Sequence, residues 1–337
     1  MKEMKIGNNI IGKDYPTFII AEIAVNHLGN IDLAKSMIDS AKGCNVDAVK
    51  FQHHIPDEEM LKDKIPRADL YDIICKNNIT LEEHKELKEY CDLNDILYLC
   101  TPFSLKAALE INPLVSAFKI GSGEFTDLPM LECIAKLGKP MILSTGMSTK
   151  EEIKMIFDAL HPINEMLIFM NCTSEYPPIY EDINLQFITE LSNQYPIIVG
   201  HSDHTPSIYT SLAAVAMGAK VIEKHFILYK DMPGADAMVS LNPEQLNDLV
   251  EGIRIIEQSL KYKDKNVYDG ERFIRDWARR SIVTIKDIKK GEKFNYDNIW
   301  EKRPGNGIPS YKMRDIINKI AKKDIHCNEL LDWNDIE

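Results

Sequence analysis

The chain has 337 residues, 45% of them hydrophobic and 27% charged, which is enough for one large globular domain and a second, small one. Its formal net charge of −12 argues against general nucleic-acid binding, which requires a basic face. No apolar run approaches the roughly 20 residues that span a bilayer, and the N-terminus has no signal-peptide apolar core.

The seven cysteines are scattered along the chain and form no CxxC pair. This usage argues against a disulfide scaffold and against a cysteine-based zinc site. Together with the lack of a leader or a membrane span, it predicts a cytoplasmic protein that binds neither membrane nor nucleic acid.

Short apolar runs recur along the first two thirds of the chain, and each is continuous, as expected of parallel strands buried on both faces. The predicted strands are residues 17–23, 47–52, 96–101, 117–121, 140–144, 167–172, 197–200 and 221–225. Helical patterns separate most of them, at residues 31–42, 80–93, 128–137, 150–160 and 207–217. Eight such units in about 250 residues predict an α/β fold, the (β/α)8 TIM barrel. A doubly wound open sheet is the alternative, but it would usually need fewer strands.

The pattern of apolar and charged residues changes after the last predicted strand. A helix is predicted over residues 246–260, and a charged stretch that follows it is typical of a linker. From about residue 280, short alternating strands and turns indicate a small β-rich domain, which would be marginally stable alone. The predicted organisation is therefore a barrel over residues 1–262, a linker over 263–279 and a small domain over 280–337.

Two histidines end the last two predicted strands. His204 follows the seventh strand and His225 ends the eighth, and ligands of parallel α/β folds bind at these carboxyl ends. Neutral imidazole is the commonest metal ligand, so the pair predicts a partial metal site. Water and substrate oxygens would have to complete the coordination sphere.

Two lysines, Lys50 and Lys119, stand at equivalent strand ends where buried strands are otherwise apolar. One strand lysine often pairs with a neighbouring glutamate for packing alone, but two favour an anion site. With Ser122 and Ser144 they predict a pocket for phosphate and carboxylate groups. The polar residues around this pocket have two open interpretations: Glu22 is a base or an orienting group, Glu124 a base or a partner of Lys119, and Tyr176 substrate-facing or packed.

Several segments in order along the chain carry a resemblance: AEIAVNHLGN (21–30), DAVKFQ (47–52), CTPFS (100–104), FKIGSGE (118–124), STGMST (144–149), CTSEYP (172–177), GHSDHT (200–205) and IEKHF (222–226). They resemble the sialic acid synthase family, which includes N-acetylneuraminate synthases and the similar synthases for legionaminic and pseudaminic acids. The segment RPGNG (303–307) resembles the antifreeze-like SAF domain at the C-terminus of the same family.

The resemblance implies condensation of phosphoenolpyruvate with open-chain N-acetylmannosamine, which gives N-acetylneuraminic acid and phosphate by C–O cleavage. It also implies a divalent cation, Mn2+ or Mg2+, on His204 and His225. By motif position, Glu22 would orient the aldehyde or handle protons, and Glu124 would assist the addition of water.

The same resemblance assigns the remaining site residues. Those that would bind phosphoenolpyruvate are Lys50, Thr101, Lys119, Ser122, Ser144, Ser174 and Ser202. Those that would contact the sugar are Gln52, Tyr176, Asp236 and Arg303. The last of these would come from the partner subunit of a homodimer in which the SAF domains are exchanged.

Three alternatives stand beside this interpretation. Within the family, the acceptor would be 2,4-diacetamido-2,4,6-trideoxymannose and the product N,N'-diacetyllegionaminate. A Schiff-base lyase would use Lys119 or Lys50 on pyruvate, but it leaves the two histidines unexplained. A non-catalytic sugar-binding protein would not need a polar group at every strand end.

Overall fold

The computed structural model describes residues 3–65 and 68–337. The chain divides into two compact units, Met1–Lys261 and Tyr262–Glu337. In the parts of the chain that are described, no helix combines the length and the apolar character that crossing a membrane requires.

Ten strands form among the described residues of the first unit. They are β1 (Met4–Ile6), β2 (Asn9–Ile11), β3 (Phe18–Ala24), β4 (Ala48–His53), β5 (Leu97–Pro102), β6 (Phe118–Ile120), β7 (Met141–Ser144), β8 (Leu167–Cys172), β9 (Ile198–Asp203) and β10 (Val221–His225). Strands β3 to β10 pair in parallel and close into a barrel through the pairing of β10 with β3. The predicted α/β fold and TIM barrel are confirmed.

Helices follow the strands around the barrel. They are α1 (Ile31–Gly43), α2 (Pro56–Glu59), α3 (Ala68–Asn77), α4 (Leu81–Leu93), α5 (Leu105–Ile111), α6 (Leu128–Ala135), α7 (Lys150–Leu160), α8 (Gln186–Gln194), α9 (Tyr209–Ala216) and α10 (Pro243–Ser259). Thr80 and Thr149 each form a capping box with a glutamate three residues on, which sets where α4 and α7 begin.

The core of this unit has two layers. The larger layer lies between strands and helices, where α1 buries Ala34, Met37, Ile38 and Ala41 at helical spacing. The smaller layer fills the barrel, and its members include Met4, Ile6 and Ile11 of the β1–β2 hairpin. The hairpin was not predicted from the sequence; its side chains pack with the inward-facing residues of the barrel.

The second unit has its own core, which includes Ile282, Phe294 and Ile299. Its elements are α11 (Asp269–Ala278), β11 (Ser281–Thr284), β12 (Ile299–Lys302) and α12 (Met313–Ile316). Strands β11 and β12 pair in antiparallel fashion. The segment 263–279, predicted as a linker, contains α11 and is grouped with this unit.

Candidate active site

A cavity of about 440 Å³ opens at the carboxyl ends of the barrel strands. It brings together every predicted site residue of the first unit. These are Glu22, Lys50, Gln52, Thr101, Lys119, Ser122, Glu124, Ser144, Ser174, Tyr176, Ser202, His204, His225 and Asp236. Arg303 belongs to the second unit, in the segment after β12.

Strand register explains why these side chains meet. Glu22 of β3 is paired with His225 of β10 on one side and with Lys50 of β4 on the other. The three residues therefore lie at the same level of the barrel. One level along, Glu223 of β10 is paired with Ser202 of β9.

A buried cluster of two lysines and two glutamates forms the floor of the cavity. Lys50 Nζ lies 2.6 Å from Glu22 Oε2 and 3.9 Å from Glu223 Oε2, and Lys119 Nζ lies 3.3 Å from Glu223 Oε1. All four side chains are at most 6% exposed. Each lysine thus has a carboxylate partner, which is what allows two ammonium groups to be buried here.

Charge coupling sets the protonation of this floor cluster. Burial alone would raise the pKa of Glu223, but the ammonium groups of Lys119 and Lys50 lower it to about 2. Burial raises the pKa of Glu22 above its ordinary value, and Lys50 opposes that rise. Although burial lowers the pKa of Lys50, the carboxylates of Glu22 and Glu223 raise it on balance. Lys50 therefore stays a cation.

The sequence interpretation did not assign Glu223. Two buried strand lysines require counter-charges, and IEKH is the segment that supplies an acidic residue next to a predicted ligand, so the signal was present. What it lacked was the contact across the barrel between β10 and the strands that carry Lys50 and Lys119.

Hydroxyl groups surround the two lysines. Lys50 Nζ donates to Thr101 Oγ1 at 2.8 Å, and Lys119 Nζ donates to Ser144 Oγ at 2.8 Å. A Cβ atom built on Gly146 would collide with the hydroxyls of Ser122 and Ser174, so these two groups converge over a backbone position that only glycine leaves open. The arrangement offers two cations and four hydroxyls to an anionic ligand.

The two histidines face each other across the cavity, with ring centroids 5.4 Å apart. Burial lowers the pKa of each to about 3, so both rings are neutral. His204 Nδ1 donates to the carbonyl oxygen of Thr173 at 2.8 Å, which leaves Nε2 as the electron-pair donor, 3.1 Å from the hydroxyl of Tyr176. His225 Nδ1 is buried and has no hydrogen-bond partner among the described residues.

This donor set fits a divalent cation held by two imidazoles. A neutral ring with its second nitrogen fixed by a backbone carbonyl is the usual form of a metal-binding histidine. The carboxylate of Asp236 lies 3.7 Å from His225 Nδ1 and is a further nearby oxygen donor. Within residues 3–65 and 68–337, no group of three or more metal-binding side chains is assembled, so most other coordination positions would be left to water or substrate.

Glu124 lies beside the cavity with a carboxyl oxygen, Oε2, that is buried and unpartnered in the described part of the chain. Its Oε2 rests over Gly121, where an added Cβ would lie only 2.5 Å away. Burial raises the pKa of Glu124 to about 7. The group can therefore exchange a proton near neutral pH.

Replacing Glu124 by glutamine is expected to change how stability depends on pH. Because the folded chain holds this proton up to about pH 7 and an ordinary glutamate holds it only to about 4.5, the group makes stability fall as pH rises between those values. In Glu124→Gln this part of the slope disappears. Denaturant titrations from pH 4 to 8 measure it, with the exposed Glu151→Gln as control. An unchanged slope in Glu124→Gln would contradict the prediction.

The outer part of the cavity contains side chains that the sequence interpretation did not include. Its apolar members are Val25, Leu70, Ile73, Ile74, Phe103 and Met147. His54 also lines it. Leu70, Ile73 and Ile74 lie on α3, and the others lie in the loops that follow β3, β4, β5 and β7.

Comparison with known proteins identifies the family. The NeuB family model matches residues 37–265, and the SAF domain model matches residues 279–337. An uncharacterized protein of Methanocaldococcus jannaschii is 41% identical and is aligned over 100% of this chain and 99% of its own. The N,N'-diacetyllegionaminic acid synthase of Campylobacter jejuni is 38% identical, over 94% of this chain and 98% of its own.

A solved structure agrees with these matches. The N-acetylneuraminic acid synthetase of Leptospira borgpetersenii superposes with a TM-score of 0.75 at 30% identity, covering 81% of this chain and 95% of that one. Since the family model spans most of the barrel and the relatives align over nearly the whole length, the chain belongs to the NeuB family and ends in a SAF domain.

Proposed function

We propose that this chain condenses phosphoenolpyruvate with open-chain N-acetylmannosamine to give N-acetylneuraminic acid and phosphate. One observation carries the proposal: a buried pair of lysines ringed by hydroxyls faces two neutral histidines within one cavity. The lysines suit a phosphorylated carboxylic acid, and the histidines suit the carbonyl end of a sugar. The names of the aligned relatives support the same type of synthase.

Phosphoenolpyruvate would lie over the floor cluster. Its phosphate and carboxylate would take the donors of Lys50, Thr101, Lys119, Ser122, Ser144, Ser174 and Ser202. Because the lysines are already held by Glu22 and Glu223, they are fixed in place before the anion arrives, and little reorganisation is needed on binding.

His204 and His225 would hold Mn2+ or Mg2+. When bound, the cation supplies Lewis acidity toward the aldehyde oxygen of the sugar. Gln52, Tyr176 and Asp236, which surround the histidines and Glu22, would orient the sugar chain.

The bond changes balance without a further reactant. C3 of phosphoenolpyruvate bonds to the aldehyde carbon, water adds at C2, and the bond between C2 and the phosphate oxygen breaks. The aldehyde oxygen gains one proton, and the water, whose oxygen becomes the ketone oxygen at C2, loses two, the other of which leaves on the phosphate. Glu22, beside Lys50, would handle the proton that the aldehyde oxygen gains, and Glu124, with its raised pKa, a proton that the water loses.

A second acceptor, 2,4-diacetamido-2,4,6-trideoxymannose, is favoured by a specific feature. The apolar members of the outer cavity suit methyl groups, which this sugar carries at C6 and on its second acetamide. The 38% identity to a legionaminic acid synthase points the same way. The chemistry at the lysine floor would be the same for either acceptor.

The second unit has a proposed part in the same reaction. In our proposal, Arg303 contacts the sugar's acetamido group. This arginine would come from the partner subunit of a homodimer with exchanged SAF domains. Within its own unit, the Arg303 guanidinium lies 5.2 Å from the centre of the Trp277 ring, and its Nε donates to the carbonyl of Ala278. These contacts fix its direction relative to α11. The free thiols of all seven cysteines agree with a cytoplasmic setting.

The test is release of phosphate from phosphoenolpyruvate with Mn2+, offered each sugar in parallel. We expect release that depends on a sugar and is abolished by EDTA. Borohydride with pyruvate should trap no adduct, because Lys50 and Lys119 are each ion-paired with a buried carboxylate and a Schiff-base lysine must be neutral. No release with either sugar from folded, metal-loaded protein would overturn the proposed function.

A further inference from the structure

The segment that follows β4 forms a chain of polar contacts leading into the cavity. It begins at Glu59 on α2, whose Oε2 lies 2.9 Å from Nδ1 of His54. Nε2 of the same ring lies 3.2 Å from Oε1 of Gln52, and Nε2 of Gln52 donates to Glu22 Oε1 at 3.3 Å. The side chains of His54 and Glu59 are only 5% and 6% exposed. The chain therefore runs through protein from α2 to the floor cluster.

The direction of each hydrogen bond follows from its partners. In its ionised form, paired with the Lys50 ammonium at 2.6 Å, Glu22 only accepts, so the Gln52 amide must present its nitrogen to Glu22 and its oxygen to His54. His54 Nε2 must then donate, and because Nδ1 faces the Glu59 carboxylate and donates to it, this arrangement needs a ring that carries both protons. Were the Gln52 amide reversed, it would set one oxygen against the Glu22 carboxylate and its nitrogen against a ring that donates.

His54 is fixed from several sides. Glu59 Oε2 faces its Nδ1, and Glu59 Oε1 accepts from the backbone N–H of Ile55. Its ring stacks on Phe103, with centroids 4.1 Å apart and planes 17° apart. Asn78 donates to its carbonyl oxygen at 2.8 Å. Because the ring is held by these contacts, it can fix the orientation of the Gln52 amide, the next group in the series of hydrogen bonds.

We propose that His54 and Glu59 are positioning residues that hold the Gln52 amide in the orientation needed to recognise the acceptor sugar. The inference rests on the proposed function, in which Gln52 contacts that sugar. Neither His54 nor Glu59 needs to touch substrate. His54 sets which way the Gln52 amide faces, and Glu59 holds the ring that does so.

A pair of substitutions at His54 separates this role from packing. A glutamine side chain reaches as far as Nε2 and can still donate to Gln52, whereas asparagine reaches only as far as Nδ1 and cannot. Both remove the ring that stacks on Phe103. We expect His54→Asn to raise the KM for the sugar about tenfold and His54→Gln to raise it by less than about threefold. A tenfold change is the size expected for the loss of one hydrogen bond. The KM for phosphoenolpyruvate should not change in either variant.

Glu59 has a matched control on the same short helix. Glu59→Gln should raise the sugar KM in the same direction as His54→Asn. Glu58→Gln, whose carboxylate is half-exposed and lies 3.4 Å from Lys106 at the surface, should leave both KM values as they are. Thermal unfolding of each variant shows whether the fold is retained.

A measurement that does not depend on turnover completes the test. In protein labelled with 15N-glutamine, the side-chain amide signal of Gln52, assigned with Gln52→Glu, should shift in His54→Asn and stay near its place in His54→Gln. Equal shifts, equal KM changes or a rise in both KM values would overturn the positioning role. If the wild type turns over neither sugar while the amide signal behaves as expected, the proposed function fails and the positioning of Gln52 stands.

Discussion

Replacing His225 by alanine is expected to lower turnover by about a thousandfold and to weaken binding of Mn2+ to a similar degree, while phosphoenolpyruvate still binds. The reason is geometric. His225 supplies one of the two imidazoles that would hold the cation, and its ring is neutral because burial lowers its pKa to about 3. Calorimetric titration with Mn2+, with and without phosphoenolpyruvate, measures the loss directly.

His201 is the matched control, since it is also a buried histidine on the same pair of strands. It lies outside the cavity lining, and its Nδ1 contacts the carbonyl of Asn171 at 3.0 Å. His201→Asn is expected to reduce stability and to leave the affinity for Mn2+ within about threefold of the wild type. Equal affinity for Mn2+ in His225→Ala and in the wild type would show that the metal site lies elsewhere.

The strands were predictable because a parallel barrel strand is buried on both faces and must be apolar throughout. The predicted strand 167–172 coincides with β8, and 221–225 coincides with β10. The polar residues at strand ends follow from the same rule, since the cavity lies at the carboxyl edge of the barrel. The barrel and the residues that line its mouth could thus be predicted together.

The features that were missed depend on contacts between distant segments. The strands β1 and β2 have three residues each, too few for a period to show, and pack through Met4, Ile6 and Ile11 inside the barrel. Glu223 acquires its role only because β10 lies across the barrel from Lys119. His54 acquires its role through Glu59 and the rotation of one amide group. No local pattern encodes these contacts.

The second large effect is expected at the floor cluster, in a substitution that changes the stability of the fold. Glu223→Gln is expected to lower the free energy of unfolding by about 3–5 kcal/mol, because it removes one charge of a buried ion pair and leaves the other. Among the described residues, Lys119 has its ion pair with Glu223 alone. The hydroxyl of Ser144 and the backbone carbonyl of Ile120 remain as neutral acceptors and do not balance its charge. Denaturant titration at pH 7 without ligand measures this loss.

The dependence on pH has a definite sign. Lys119 and Lys50 lower the pKa of Glu223 to about 2, so its stabilising effect is complete above the ordinary value of 4.5 and is lost as pH falls toward 2. The difference between the wild type and Glu223→Gln should therefore be constant near neutral pH and narrow in acid. A surface pair is the control: Lys35 and Glu86 are also 2.6 Å apart, but Glu86 is half-exposed, and Glu86→Gln should cost no more than about 1 kcal/mol.

Phosphoenolpyruvate should offset part of the loss in Glu223→Gln. In the variant, the bound anion supplies the counter-charge that Lys119 lacks, and the anion is not repelled by a carboxylate at position 223. Phosphoenolpyruvate should therefore raise the unfolding temperature more in the variant than in the wild type. A variant that is destabilised but gains no more from phosphoenolpyruvate than the wild type would place the anion away from Lys119. A variant as stable as the wild type would show that Lys119 does not depend on Glu223 for its charge balance. Only the combined result, a lower stability together with a larger stabilisation by phosphoenolpyruvate, fits a floor cluster in which glutamates hold the lysines in place before the anionic substrate binds.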